Sequence, residues 1–307
     1  MAGDFGNTVA WATQPARRPV REGLPLADGY EAAVYVHSPP AGAEGLPVLY
    51  LHGIQSHPGW FVASAAAMAE RGHHVFQATR RGSGDNPPPR GHAASADQLL
   101  GDVRTACDFV LRRTGAGRLH LVGISWGGKL AACFAAGLDR PDMLASLTLV
   151  APGIVPRVDL SAAAKLAVAG CLLLAPRREF AIPLNDVTLF TDNEAMRAYL
   201  RGDRHRLLRV TARFLYASRC LDAMLRRSAR GAIGAATTLL LARDDRIIDN
   251  ARTRRWVEHL TAGRVVVEML DGSHTLEFQT APSAFHAALL RAIGRGEAGK
   301  NLPVGRS

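Results

Sequence analysis

Short apolar runs recur along the chain and alternate with longer stretches in which apolar residues return every three to four positions. This rhythm predicts strands at 30–38, 46–52, 74–79, 118–124, 146–150, 237–242 and 264–270. Between and after them, 59–72, 94–114, 126–138, 250–262 and 281–293 carry helical periodicity. Strand and helix in alternation imply an α/β architecture, a mostly parallel central sheet flanked by helices.

The rhythm breaks over 155–234, where the pattern turns helical and Leu207, Val210, Phe214, Leu221 and Leu225 fall on one apolar stripe. An insertion of this length is too long for a connecting loop and predicts an all-helical cap over the carboxyl edge of the sheet. The core is then expected at 26–154 and 235–295, with a loose lead-in over 1–25 and a flexible tail over 296–307.

Composition narrows the class. A chain of 307 residues with 48% apolar and 21% charged residues has the balance of a globular protein with a sizeable core. Cys107, Cys133, Cys171 and Cys220 are far apart, with no CxxC pair, and read as small core residues rather than a zinc site or disulfide framework. The first twenty residues lack a continuous apolar stretch, so a secretory signal is not expected. The longest apolar run, 166–175, is about half of the roughly 20 residues that span a bilayer. The expected location is cytoplasmic. The formal charge of +10 admits an anionic surface or substrate. With aromatics at 6% and no basic run interleaved with them, nucleic acid is not an expected partner.

The sharpest local signal is Gly123-Ile124-Ser125-Trp126-Gly127, which follows an apolar run and opens a helical pattern. A serine on so tight a strand-to-helix turn takes strained backbone angles, and small residues two before and two after let the chain pass itself closely. The helix beginning at Trp126 points its amides at the place where an oxyanion forms.

A serine hydroxyl needs a base, and the base needs a carboxylate to fix its tautomer. On such an elbow the chain order is Ser, then Asp or Glu, then His. His205, His259, His274 and His286 follow Ser125, and only His274 comes directly after the final strand. The acid belongs in the loop after 237–242, where Asp245 leaves about two residues to clear the sheet and Asp244 competes with it. Asp249 reads as a helix N-cap. His52-Gly53 after an early strand supplies the second oxyanion amide, assigned to the N–H of Ile54 with Gln55 as alternative, beside that of Trp126. His52 and His57 have no acidic partner at ligand spacing, and no metal or other cofactor is expected.

These residues resemble the α/β hydrolases of the lysophospholipase, monoacylglycerol lipase and serine aminopeptidase type. The resemblance rests on His52-Gly53, Arg81-Gly82-Ser83-Gly84, Gly123 to Gly127, Asp245-Arg246-Ile247-Ile248 and His274, and covers about residues 25 to 295. Ile182-Pro183-Leu184 and Phe190-Thr191-Asp192 look like that family's cap. Three positions depart from the pattern. Ala78-Thr79-Arg80 stands where an Asp often precedes the R-G-x-G turn, Arg243 replaces a common glycine, and Lys129 replaces a small or apolar residue, its stem expected to snorkel to solvent.

The expected function is hydrolysis of a carboxylic ester through an acyl-enzyme, with Ser125, Asp245 and His274 as triad, on an acyl ester or lipid. Acyl transfer, thioesterase or aminopeptidase action by the same triad is the alternative, and a non-catalytic ligand-binding protein the remote one. The insertion is the basic part of the chain: from Val155 to Ala232 it holds thirteen Arg and one Lys against seven Asp and Glu, a net +7. That suggests contact with an anionic head group or membrane surface.

Overall fold

The computed structural model describes residues 18–298. Eight strands form one sheet in the order β1-β2-β4-β3-β5-β6-β9-β10. They are β1 Val20–Pro25, β2 Glu31–His37, β3 Gly45–Leu51, β4 His73–Ala78, β5 Leu119–Ile124, β6 Leu144–Val150, β9 Thr237–Ala242 and β10 Val265–Leu270. β1 and β2 run antiparallel to their neighbours, and from β4 to β10 every pairing is parallel. The central strands are apolar on both faces because helices cover both, and Leu49, Tyr50, Leu121, Leu147 and Leu149 are among the largest fully buried side chains. Each such side chain contributes about 1.5–3 kcal/mol relative to exposure.

Part of the expected lead-in is ordered: Val20–Pro25 pairs along its whole length with β2. Leu24 is the single buried side chain of this strand, so no periodicity marks it, and backbone pairing holds it instead. At the other end, helix 283–298 extends into the expected tail. Residues 1–17 and 299–307 of these segments lie outside the described residues.

The core helices are α1 Val62–Glu70, α2 Ala96–Thr114 and α3 Trp126–Ala136, with α7 Asn250–Leu260 and α8 Ser283–Ala298 after the insertion. Their ends follow local chemistry. Ser95 Oγ caps α2 by accepting from Gln98 N at 3.0 Å, and Gly115 ends it in the left-handed conformation. Asp249 caps α7 as the sequence indicates, accepting from Arg252 N at 2.9 Å.

The insertion contains α4 Ala162–Leu174, α5 Glu194–Gly202 and α6 Ala212–Arg227, but it is not all helical. β7 Glu179–Ala181 and β8 Arg209–Thr211 pair antiparallel. The apolar stripe is therefore divided: Leu207 precedes β8, Val210 lies in it, and only Phe214, Leu221 and Leu225 share α6. The break comes at Thr211, whose Oγ1 accepts from Phe214 N at 3.2 Å and starts the helix there.

The insertion docks on the loop after β3 through buried polar contacts. Leu207 N donates to the Gln55 carbonyl at 2.9 Å, and Arg206 Nε donates to Gln55 Oε1 at 2.9 Å. Asp203 Oδ2 accepts from Trp60 Nε1 at 2.7 Å and pairs with His57 Nε2 at 3.0 Å. Burial alone would raise the Asp203 carboxyl, but His57 and the Trp60 N–H outweigh it and hold its pKa down at about 2. A carboxyl depressed in the folded state stabilises above its unfolded pKa and loses that contribution as pH falls through the folded one. Asp203→Asn should therefore cost about 2 kcal/mol near pH 7. In urea unfolding, the gap between variant and wild type should close between about pH 4 and pH 2.

Candidate active site

Ser125, Asp245 and His274 come from the carboxyl ends of β5, β9 and β10, the edge where open α/β sheets place their ligands. The structure brings the three together. His274 Nε2 lies 2.9 Å from Ser125 Oγ, and His274 Nδ1 lies 2.8 Å from Asp245 Oδ2. Asp245 Oδ1 accepts from Ile247 N at 2.8 Å and from Ile248 N at 2.9 Å, which fixes the carboxylate. Burial by itself would raise this carboxyl, but His274 and the two amides outweigh it and lower its pKa. Asp244 is exposed and points no carboxylate at His274; its backbone N–H instead bonds the Gly272 carbonyl at 3.0 Å. His205, His259 and His286 lie outside the triad.

Ser125 sits at φ 52° and ψ −121°, a region that costs a side-chain-bearing residue strain. The turn closes only because its flanks lack side chains. A Cβ on Gly127 would lie 2.4 Å from the His52 carbonyl oxygen, and one on Gly123 2.7 Å from Ala131 Cβ. Ser125 N donates to the Val150 carbonyl at 2.9 Å, so the neighbouring strand β6 holds the strained residue.

The residues expected to supply the oxyanion amides lie beside this turn. Trp126 opens α3, and Ile54 lines the same cavity as Ser125. Arg80, which the sequence marked only as a departure, organises that loop. Its guanidinium donates to the carbonyls of Gly53 at 3.1 Å and Ile54 at 2.8 Å, while lying over the rings of Trp126 and Phe214. In a trans peptide the N–H points opposite the carbonyl, so a cation holding the Gly53 carbonyl turns the Ile54 N–H the other way. Burial brings Arg80 down to about 9. His52 ties this loop together, with Nε2 accepting from Arg80 N at 3.0 Å and Nδ1 donating to the Gly53 carbonyl at 2.9 Å.

Lys129 does not reach solvent. It is buried, donating to Ser218 Oγ at 2.9 Å and Asp222 Oδ1 at 2.8 Å on α6. Ser218 Oγ also accepts from Trp126 Nε1 at 2.9 Å. The polar pair thus joins the helix of Ser125 to the cap, and no pattern within α3 alone announced it. A second cap residue, Asp192, braces both loops of the triad. Its Oδ2 accepts from Ser273 Oγ at 2.7 Å, and its carboxylate pairs with Arg246 at 2.9 Å and 3.0 Å.

Beside Ser125 lies a cavity of about 800 Å³, walled by Val155, Val158, Leu160, Val168, Leu172, Ile182, Leu184 and Leu215 among others. Its charged lining is Lys129, Lys165, Arg219, Arg226 and Arg252 against Asp159 and Asp222.

Strand order, helices on both faces and a polar Ser-His-Asp chain at the carboxyl edge define the α/β-hydrolase fold. Residues 45–279 match the family described as serine aminopeptidase, S33, and the chain belongs to it. A soluble variant of monoglyceride lipase from Saccharomyces cerevisiae superposes with TM-score 0.79 at 15% identity, over 91% of this chain and 96% of that one. The monoacylglycerol lipase of Paleococcus ferrophilus gives 0.75 at 18% identity, over 87% and 99%. In sequence, the putative carbamate hydrolase RutD of Variovorax paradoxus (strain S110) is 33% identical over 115 residues. That stretch is 38% of this chain and spans only 40% of the length of that relative.

Asp245→Asn should lower kcat by about 10³–10⁴-fold, because an amide in place of the carboxylate leaves His274 without the partner that fixes its tautomer. Asp244→Asn should cost about tenfold or less, and parallel kinetics of the two variants check the ranking.

Proposed function

We propose that the protein hydrolyses carboxylic esters of acyl chains through an acyl-enzyme intermediate. The observation that carries this reading is the unbroken hydrogen-bond chain from Asp245 through His274 to Ser125 Oγ, at the mouth of an apolar cavity. Ser125 attacks the ester carbonyl while His274 Nε2 takes its proton and then delivers it to the leaving alcohol. The amides of Ile54 and Trp126 receive the oxyanion. Water, activated by the same imidazole, releases the acid and restores Ser125.

The lining argues for an acyl chain over a peptide with a free amino end. Five cationic side chains against two carboxylates around the cavity disfavour an ammonium group and favour a neutral or anionic one. Aminopeptidase action, the activity that the family description names, is the second reading. Thioester cleavage and acyl transfer use the same groups and differ only in leaving group and acceptor. A lipid substrate, lysophospholipid or monoacylglycerol, is favoured by α4. Val168, Ala169 and Leu172 line the cavity from its inner side, while Leu166, Leu173 and Leu174 are exposed beside exposed Arg177 and Arg178. Apolar side chains flanked by arginines suit an anionic bilayer surface as peripheral partner. Among the described residues no helix is long and apolar enough to cross a membrane.

The direct test is labelling with a fluorophosphonate, followed by p-nitrophenyl esters against acyl thioesters and aminoacyl anilides. Wild type should label and prefer esters. Ser125→Ala should lose labelling and at least about 10³-fold of the activity while keeping its fold. Preference for the anilides would turn the reading to an aminopeptidase.

Charge at the cavity has a separate consequence. The kcat/KM for an anionic lysophospholipid should fall as salt rises toward physiological strength, where screening shortens to about 8 Å, while a neutral monoacylglycerol responds little. Equal salt dependence for the two would reject charge selection by the cap.

A further inference from the structure

Three side chains that the proposed reaction does not use meet at the amino-terminal edge of the sheet, the edge opposite Ser125. His73 opens β4, His120 is the second residue of β5, and Glu297 lies in the last turn of α8. One ligating atom from each lies within 4.8 Å of those of the other two.

The hydrogen bonds around the rings show which nitrogens are already engaged. His73 Nδ1 lies 2.9 Å from the Leu46 carbonyl, which only accepts, so Nδ1 donates there and Nε2 is the nitrogen left for a ligand. His120 Nδ1 is engaged by Ser146 Oγ at 2.8 Å. His120 Nε2 is buried with no hydrogen-bond partner, on a ring that is fully enclosed. The nearest carboxylate oxygen, Glu297 Oε1, is 3.7 Å away, too far for a hydrogen bond. Two ligands of one tetrahedral zinc ion stand about 3.3 Å apart, given metal–nitrogen bonds of about 2.0–2.1 Å. Imidazoles whose outer N–H is fixed by an acceptor are also the form in which histidine binds metal.

We propose that His73, His120 and Glu297 form a binding site for a divalent transition ion of the zinc type, remote from the triad. Two imidazoles and one carboxylate suit zinc, whereas calcium and magnesium take oxygen ligands. Water fills the fourth position. The ion would tie the starts of β4 and β5 to the end of α8, so its expected effect is on stability.

The test uses the full chain, stripped with a chelator and titrated with zinc chloride. Wild type should bind one zinc per chain, and its Tm should rise by about 5 °C at a hundredfold excess over the dissociation constant. Glu297→Gln keeps the shape of a partly exposed side chain and should weaken binding at least tenfold, with the metal-free Tm unchanged. His120→Asn should abolish binding, checked by elemental analysis of protein that retains its circular dichroism. Fluorophosphonate labelling of metal-free protein should be the same in Glu297→Gln and wild type, which separates this site from the reading of Ser125. Zinc bound equally by wild type and both variants, no Tm shift in wild type, or an equal shift with magnesium would each overturn the proposal.

Discussion

The strained turn at Ser125 constrains everything placed around it. A residue with a side chain at φ 52° costs on the order of 1–3 kcal/mol unless its surroundings impose it. Here they do, from three sides. Strand β6 holds the Ser125 N–H, the Ser125 carbonyl accepts from Gly128 N, Lys129 N and Gly153 N, and the turn after β3 runs against Gly127. The loop carrying Ile54 is consequently fixed relative to the Ser125 hydroxyl by the same contact that closes the elbow.

The insertion is part of the site rather than a cover laid over it. Asp192 holds the neighbours of both Asp245 and His274, Asp203 and Arg206 hold the loop of Ile54, and Ser218 with Asp222 holds Lys129. Lys129, Arg206 and the Asp203 carboxylate are charged groups enclosed at these contacts, where an unpaired partner is costly, so they fix geometry more sharply than apolar packing would, whereas Asp192 and Arg246 pair in the open. Arg80 extends this logic from within the core. It stacks on Trp126 and Phe214 while gripping two carbonyls, which couples helix α6 to the loop of Gly53 and Ile54.

The cavity combines an apolar wall with an excess of positive charge, two features with different origins. The wall comes from residues that α4, α6 and the loops after β6 and β9 turn inward. The charge comes from exposed Arg219, Arg226 and Arg252, together with Lys129 and Lys165, which pair with Asp222 and Asp159.

The sequence by itself determined the sheet-and-helix order, the elbow at Ser125 and the loops holding Asp245 and His274, because these depend on periodicity and on short-range turn chemistry. Gly123 and Gly127 are legible as glycines two residues either side of a serine, and Asp245 follows from the length of chain needed to leave a strand. Strand β1 escaped notice because one buried leucine makes no pattern, and the division of the apolar stripe at Thr211 because a short β-pair and a helix can present the same spacing. Only tertiary structure decided what Lys129, Arg80, Asp192 and Asp203 do, and which histidines meet Glu297. Their partners lie tens to hundreds of residues away along the chain, and the sign and burial of a charge acquire meaning only when the opposing group is brought to within a few ångströms.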